Sequence, residues 1–220
     1  MLQHERHYWD SGIRRIAGVD EAGRGPLAGP VVAASVVLEE DFLKSEEKGS
    51  LLGLTDSKLL TEKKRELFFT FLTGCDRVFI GVGMSGVDEI DSINILKATH
   101  LAMARALNSL PFLPDLALVD GLPVKGLPCP SVAIVRGDSA SLSIAAASII
   151  AKVTRDRLMR ECDLRYPGYG FAQHKGYGSK NHMMALFELG PSPLHRMTFR
   201  PVHEAAEIRK RKNEDSDSID

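Results

Sequence analysis

Three cysteines in 220 residues, none in a C-x-x-C pair, leave this chain without the makings of a disulfide scaffold or a thiolate zinc site. Cys75, Cys129 and Cys162 lie far apart and are odd in number, so reduced thiols in a cytoplasm are the expectation. Long apolar runs are missing as well. The most apolar helical segment, 144–151, is far too short to span a bilayer, so no membrane-spanning helix is expected. The opening residues, MLQHERHYWD, are polar and charged and do not read as a secretory signal. No internal repeat is visible.

Net charge is also scarce, at −1, but only in sum. Residues 1–149 carry 15 Lys+Arg against 19 Asp+Glu, residues 150–212 carry 13 against 6, and 213–220 hold four acids and no base. The middle segment is therefore strongly basic and a candidate surface for a polyanion. The hydrophobic share of 44% and the charged share of 26% are ordinary for a globular protein, and the length suits one substantial core.

The most informative stretch is 16–38, IAGVDEAGRGPLAGPVVAASVVL. A short apolar run fits a buried strand and stops at two adjacent carboxylates, Asp20 and Glu21. A loop with Gly23, Gly25, Pro26, Gly29 and Pro30 follows, with Arg24 between glycines. Val31–Leu38 then reads as a second strand. Adjacent acids at a strand end disfavour each other's ionised form unless a cation joins them, and a hard divalent cation suits carboxylate oxygens. A glycine loop has too little side chain to keep a ligand from its backbone. Together these features predict a metal-dependent site acting on phosphate.

In chain order, 1–15 predicts a short helix or arm, and the polar segment 39–53 predicts a loop. Asp56, Ser57 and Lys58 lie in the loop before a helix capped by Thr61. A third strand is expected over 77–84, and a helix over 93–110 that Pro111 ends. The strand 116–119 stops at Asp120-Gly121, and the strand 132–135 stops at Arg136-Gly137-Asp138. A long helix from Ser139 to about residue 164 carries small residues, Ala145 to Ser148, that would let it lie close to a sheet. A glycine-rich aromatic loop (166–179) and a helix over 180–189 follow. Strands alternating with helices indicate an α/β sheet with helices on its faces. The expected organisation is a single domain over 1–206, whose C-terminal part is a small helical lobe from about residue 165. From 207 a charged tail without apolar anchors is expected to be disordered.

Three strand ends thus carry acids: Asp20-Glu21, Asp120 and Asp138. A single Asp-Gly is most simply a turn, but the same event occurs three times. Ligands gather at strand ends in open α/β sheets. If the ends are neighbours, four carboxylates converge, and two divalent ions about 3.5–4 Å apart are the natural occupants. His174, His182 and His195 have no metal-ligand spacing to a second histidine or cysteine and read as structural or phosphate-binding.

The motifs DEAGRGPLAGPVVAA, TDSK, EIDSINILKATHLAM, VDG, GDSASLSIAAASIIAKVTRDRLM, HKGYG and HRMTF stand in the order seen in bacterial type 2 ribonucleases H, the ribonuclease HII family, which the chain resembles over 16–202. The resemblance implies a ribonuclease H-like mixed five-stranded sheet flanked by helices, with a small helical C-terminal lobe. It implies an endonuclease that hydrolyses the RNA strand of RNA–DNA hybrids and nicks 5′ of ribonucleotides embedded in duplex DNA. Two-metal hydrolysis, with Mg²⁺ or Mn²⁺, would leave 3′-OH and 5′-phosphate ends, a chemistry suited to ribonucleotide excision repair. The family's catalytic and metal-binding acids fall on Asp20, Glu21, Asp120 and Asp138. Its ribonucleotide-sensing loop falls on Gly23, Arg24 and Gly25, and its junction-sensing tyrosine on Tyr177.

The physics agrees, because telling RNA from DNA means detecting a 2′-OH, and a bare backbone can reach it. Phosphate contacts are expected at Lys58, Lys152, Arg155, Lys175, Lys180, Arg196 and Arg200. Leu59 stands where the family often has a second lysine. Type 3 relatives usually carry an extra N-terminal domain and a lysine between the loop glycines; Arg24 and the short segment before the first strand favour type 2. A non-catalytic hybrid-binding module need not keep all four acids, and a DNA nuclease or integrase on the same fold has no use for a 2′-OH sensor. Hybrid and ribonucleotide-containing duplex are the expected partners. No sliding-clamp peptide is seen, no membrane contact is expected, and a cytoplasmic monomer is the expectation.

Overall fold

The stretch that leads into the glycine loop is a strand, β1 (Ile16–Ala22), at the centre of a five-stranded sheet. β2 (Val31–Leu38) returns antiparallel beside it, and β3 (Val78–Ser85) pairs antiparallel with β2. On the other side β4 (Leu116–Asp120) runs parallel to β1, and β5 (Ser131–Ile134) parallel to β4. The order is β3-β2-β1-β4-β5. Val19 pairs with Val119, so Asp20 and Asp120 occupy the next position along the same parallel ladder. The computed structural model describes the backbone of residues 1–217 and the side chains of 1–211.

β2 is buried at every residue and shows no alternation, because helices cover both faces of the sheet. α4 (Val87–Asn108) packs on one face, and α5 (Leu142–Arg165) crosses the other, over β1 and β2. The small residues of α5 permit the expected close approach: Ala145, Ala146 and Ala147 are fully buried. The strand reciprocates at Gly18, where a Cβ would lie 2.0 Å from the Ser143 carbonyl carbon. The first turn of α5 and the middle of β1 therefore meet backbone to backbone. The N-terminal helix α1 (Gln3–Asp10) completes this end. Its buried Glu5 accepts hydrogen bonds from Ser141 Oγ, Ser143 Oγ and the Ser143 N–H, at 2.6, 2.8 and 3.1 Å. A carboxylate is thereby held at the positive end of α5.

α2 (Glu40–Glu46) and α3 (Glu62–Thr73) flank the α5 side. α6 (Phe171–His174), α7 (Lys180–Leu189) and α8 (Arg200–Asp217) form the helical C-terminal part, with small apolar clusters of their own around Leu186 and Phe171. Among the described residues no helix is long and apolar enough to cross a membrane.

Four segments differ from the sequence expectation, the first being the expected loop 166–179, which contains the short α6. The expected loop 39–53 contains α2, whose adjacent Phe42 and Leu43 are buried; two neighbouring apolar residues are too few to make a periodic pattern. α4 starts six residues early and is broken at Asn94, whose backbone lies at φ 68°, ψ 161°. Asn94 Oδ1 accepts from the N–H groups of Leu96 and Lys97 at 3.0 and 3.2 Å and so caps the second segment of the helix. The charged segment from 207, expected to lack structure, is helical to Asp217. Val202 and Ala205 are buried near the start of α8, and once a helix is nucleated each further residue adds to it cheaply. Residues 218–220 of the expected tail lie outside the described residues.

Candidate active site

Three of the four expected acids converge. Asp20, Asp120 and Asp138 each offer a carboxylate oxygen within 4.8 Å of the others. Parallel pairing of β1 with β4 places the first two. The third is placed by a hydrogen bond: Asp120 Oδ1 accepts the Gly137 N–H at 2.7 Å, which draws the 3₁₀ turn carrying Asp138 against the end of β4. Asp20 is buried, and its Oδ1 accepts the Glu21 N–H at 2.7 Å. Burial, then the neighbouring Glu21 and Asp120 charges, raise the Asp20 pKa well above the usual carboxylate range. Burial, then Asp120 and Asp56, raise Asp138 as well.

Glu21 stands apart from this trio, because successive side chains of a strand point to opposite faces. It lies in the adjoining cleft, where Arg24 pairs with it at 3.3 Å. Burial raises its pKa in spite of that partner. Crowded carboxylates, of which burial raises the pKa of Asp20, Glu21 and Asp138, fit a divalent cation, and their all-oxygen donor set suits a hard one.

The cleft beside the acids has a volume of about 810 Å³ and is lined by Glu21, the Gly23–Arg24–Gly25 loop, Lys58, Lys152 and Tyr177. Tyr177 is 45% exposed, and its Cε1 lies 3.7 Å from where a Gly25 Cβ would stand. The tyrosine ring and the glycine loop therefore stand side by side on the wall of the cleft that Glu21 also lines. Lys58 enters from the turn Ser57–Leu59, which is anchored to α5 by a hydrogen bond between Ser148 Oγ and Ser57 Oγ at 2.8 Å. Burial works against its charge, but Asp56, Asp20 and Asp138 outweigh that and raise its pKa.

The sequence matches the family description Ribonuclease HII over residues 17–202. The chain belongs to the ribonuclease HII family. It is 57% identical to ribonuclease HII of Geobacter sulfurreducens over 88% of this chain and 85% of that protein. It is 51% identical to ribonuclease HII of Geobacillus kaustophilus, over 93% and 75% of the respective chains. Its fold superposes on the crystal structure of ribonuclease H2 from Pyrococcus horikoshii with a TM-score of 0.72 at 29% identity, covering 88% of this chain and 97% of that one. It is therefore a ribonuclease H enzyme, built on the mixed five-stranded sheet of ribonuclease H.

The glycine loop of this chain is held by two residues that the sequence analysis expects on a phosphate-facing surface. Arg196 is 0% exposed. Its guanidinium donates to the carbonyl oxygens of Gly23, Arg24, Pro26 and Gly29, at 2.6–3.0 Å. Arg155 is 1% exposed and donates to those of Pro30, Lys175 and Ala28, at 3.0, 2.9 and 3.1 Å. Neither can meet a duplex phosphate, because burial and backbone partners occupy both. Burial, with the Arg155 charge close by, lowers the Arg196 pKa to about 9. Two guanidiniums together draw six loop carbonyls inward, which leaves the outer rim of the loop for the cleft.

The remaining phosphate candidates divide. Lys58 and Lys152 line the cleft, although Lys152 also pairs with Asp156 at 2.7 Å. The Lys175 ammonium donates to the Ala172 carbonyl, and burial lowers its pKa. Lys180 is exposed at the start of α7, away from the cleft lining, and Arg200 is exposed and paired with Glu204 at 2.7 Å. The histidines, read as structural or phosphate-binding, meet in the C-terminal part: His182 and His195 are buried with their Nε2 atoms 3.0 Å apart, and His174 stacks on His182.

Proposed function

We propose that this ribonuclease H cuts the RNA strand of RNA–DNA hybrids and nicks duplex DNA on the 5′ side of an embedded ribonucleotide, leaving 3′-OH and 5′-phosphate ends. The observation that carries the reading is the cleft lined by Gly25 and Tyr177, which Glu21 and Lys58 join to the Asp20–Asp120–Asp138 trio. A phosphodiester lying on the acids would set its neighbouring sugar in that cleft. There the backbone of Gly23, Arg24 and Gly25 can test for a 2′-OH, which both donates and accepts, and the Tyr177 ring can pack on the sugar.

Asp20, Asp120 and Asp138, with Glu21 at the rim, would hold two divalent ions, Mg²⁺ or Mn²⁺. Ions of that kind, when bound, supply the positive charge that phosphodiester hydrolysis needs at the attacking and departing oxygens. The protein's own part is placement. Lys58 keeps its proton beside Asp20 and Asp138 and can pair with a backbone phosphate, as can Lys152. Such contacts position the duplex without reading its sequence. The 2′-OH is a recognition group and not the nucleophile. In the cell the reaction would serve ribonucleotide excision repair in the cytoplasm, with the protein acting as a monomer.

The test is cleavage of duplex DNA bearing one ribonucleotide, beside all-DNA and all-RNA duplexes of the same sequence. One nick on the 5′ side of the ribonucleotide is expected, and none in the all-DNA duplex. Cutting of the all-DNA duplex would assign the site to a DNA nuclease instead.

A further inference from the structure

Tyr177 is exposed at its ring and sits in a run of unusual backbone: Lys175 lies at φ 52° and Gly176 at φ 84°. Its position depends on what grips its peptide groups: the Lys175 carbonyl accepts from Arg155 at 2.9 Å, the Gly176 N–H donates to His174 Nδ1 at 3.2 Å, and the Tyr177 N–H donates to the His174 carbonyl at 2.9 Å. The Tyr177 carbonyl accepts the Ser179 N–H at 2.7 Å and meets His182 Nδ1 at 2.9 Å. His182 is 0% exposed, and its other nitrogen, Nε2, lies 3.0 Å from His195 Nε2. His195 is 1% exposed, and its Nδ1 receives the Ser192 N–H at 2.9 Å.

The two ends of this chain dictate the proton positions between them. A backbone N–H can only donate, so His195 Nδ1 is an acceptor, and the Ser192 hydroxyl, 2.8 Å from the same atom, is then a second donor to it. A neutral His195 then carries its proton on Nε2 and donates it to His182 Nε2. That atom must accept, so His182 carries its proton on Nδ1 and donates it to the Tyr177 carbonyl, which can only accept. One tautomer of each ring satisfies every atom, and hydrogen bonds aligned head to tail strengthen one another. The far end of the chain is tied to the sensing loop. His195 is bridged to Ala28, the Leu194 carbonyl accepts the Gly29 N–H at 2.8 Å, and the Leu27 carbonyl accepts the Arg196 N–H at 2.9 Å. Beside the direct bond from the Leu27 N–H to the Gly176 carbonyl at 2.8 Å, loop and tyrosine are thus also referenced to each other through two imidazoles.

We propose that His195 and His182 are positioning residues for ribonucleotide recognition: their directed hydrogen-bond chain sets the Tyr177 peptide, and with it the ring, at its working distance from Gly25. The proposal rests on Tyr177 as the sugar-packing residue. Neither histidine touches substrate; both act through Tyr177.

The geometry makes an unusual demand on substitutions. Asparagine places its amide near the imidazole Nδ1 position, and glutamine near Nε2. At position 182 the donor to Tyr177 sits at Nδ1, so His182→Asn keeps it and His182→Gln loses it. At position 195 the donor to His182 sits at Nε2, so His195→Gln keeps it and His195→Asn loses it. On duplex DNA with one embedded ribonucleotide at saturating Mn²⁺, kcat/KM should stay within about twofold of the parent for His182→Asn and His195→Gln. It should fall about tenfold for His182→Gln and His195→Asn, the worth of one buried hydrogen bond. In a Tyr177→Ala background the differences within each pair should vanish.

A purely structural role gives no reason for the preferred amide to invert between the two positions. The same amide preferred at both, or losses that persist undiminished in the Tyr177→Ala background, would overturn the proposal. If one variant of a pair fails to fold, the pair at the other position still decides, because each predicts its own order. Tyr177→Ala that cleaves like the parent would overturn the sugar-packing reading itself, which is a separate result.

Discussion

Gly23 and Gly25 sit two residues apart in the sensing loop, yet the structure makes opposite demands of them. Gly23 lies at φ +100°, and a Cβ there would stand 2.1 Å from Arg155 Nε and 2.8 Å from the Pro30 carbonyl. Arg155 cannot swing aside without breaking its own bond from Nε to that carbonyl. An alanine would bring about 1–3 kcal/mol of backbone strain and about 1.5–3 kcal/mol for a displaced charged hydrogen bond. Gly23→Ala should therefore lower the free energy of unfolding by about 3–5 kcal/mol. With a urea dependence of about 2 kcal/mol per molar, the midpoint should move down by about 2 M.

At Gly25 the nearest atom to an added Cβ is Tyr177 Cε1 at 3.7 Å, an ordinary contact, and the backbone angle is one any residue adopts. Gly25→Ala should leave the midpoint nearly unchanged, with a gain of up to about 1 kcal/mol from the stiffer unfolded chain. Its methyl group intrudes on the part of the cleft in which the sugar is proposed to lie, so kcat/KM on an embedded ribonucleotide should drop about 10–200-fold. Urea titration followed by circular dichroism, run beside the single-ribonucleotide assay, reads both quantities. A Gly23→Ala midpoint equal to the parent's, or a Gly25→Ala midpoint lowered as far as that of Gly23→Ala, would refute the steric reasoning.

Asp120→Asn retains an acceptor for the Gly137 N–H but removes a charge from the trio; it should abolish nearly all cleavage at saturating Mg²⁺ while the circular dichroism spectrum stays that of the parent. Arg196→Lys cannot serve four carbonyls, and it should cost about 3–5 kcal/mol of stability in urea; a loss confined to duplex affinity would restore Arg196 as a phosphate contact. Lys58→Ala should weaken hybrid and DNA duplex binding alike and reduce the slope of log affinity against log salt by about 1, measured by fluorescence anisotropy. His195 is held down to about 4 by burial and then by His182, against an ordinary 6.5. The unfolded chain therefore takes up its proton first as pH falls. This contribution to stability is complete above about 6.5 and lost between there and about 4, so the difference in urea midpoint between pH 7 and pH 5 should be smaller in His195→Gln than in the parent.

Much of the site was legible because its signals are local. An apolar run that stops at an acid marks a strand end whatever surrounds it, and Asp20, Asp120 and Asp138 were readable in that way. The small residues of 145–148 and the glycines of the loop likewise describe their own neighbourhoods. What no single stretch contains is which strand ends are adjacent. Only the parallel pairing of β1 with β4, and the Gly137 bond to Asp120, turn three separate acids into one cluster. The alternation that separates Glu21 from the trio is equally a property of the strand in its sheet.

The basic segment shows the limit most clearly. Its composition argues for a polyanion surface, and Lys152 conforms, lining the cleft. Arg155 and Arg196 lie in the same segment and point inward, because their partners are backbone carbonyls, which every residue carries and no sequence pattern marks. His182 and His195 likewise have no ligand spacing, and only the fold of the C-terminal part brings their rings together. The sequence by itself determined the chemistry present, carboxylates at strand ends and a bare loop beside them. The tertiary structure decided which charged groups face the cleft and which hold it in shape, because that choice depends on pairing across the chain.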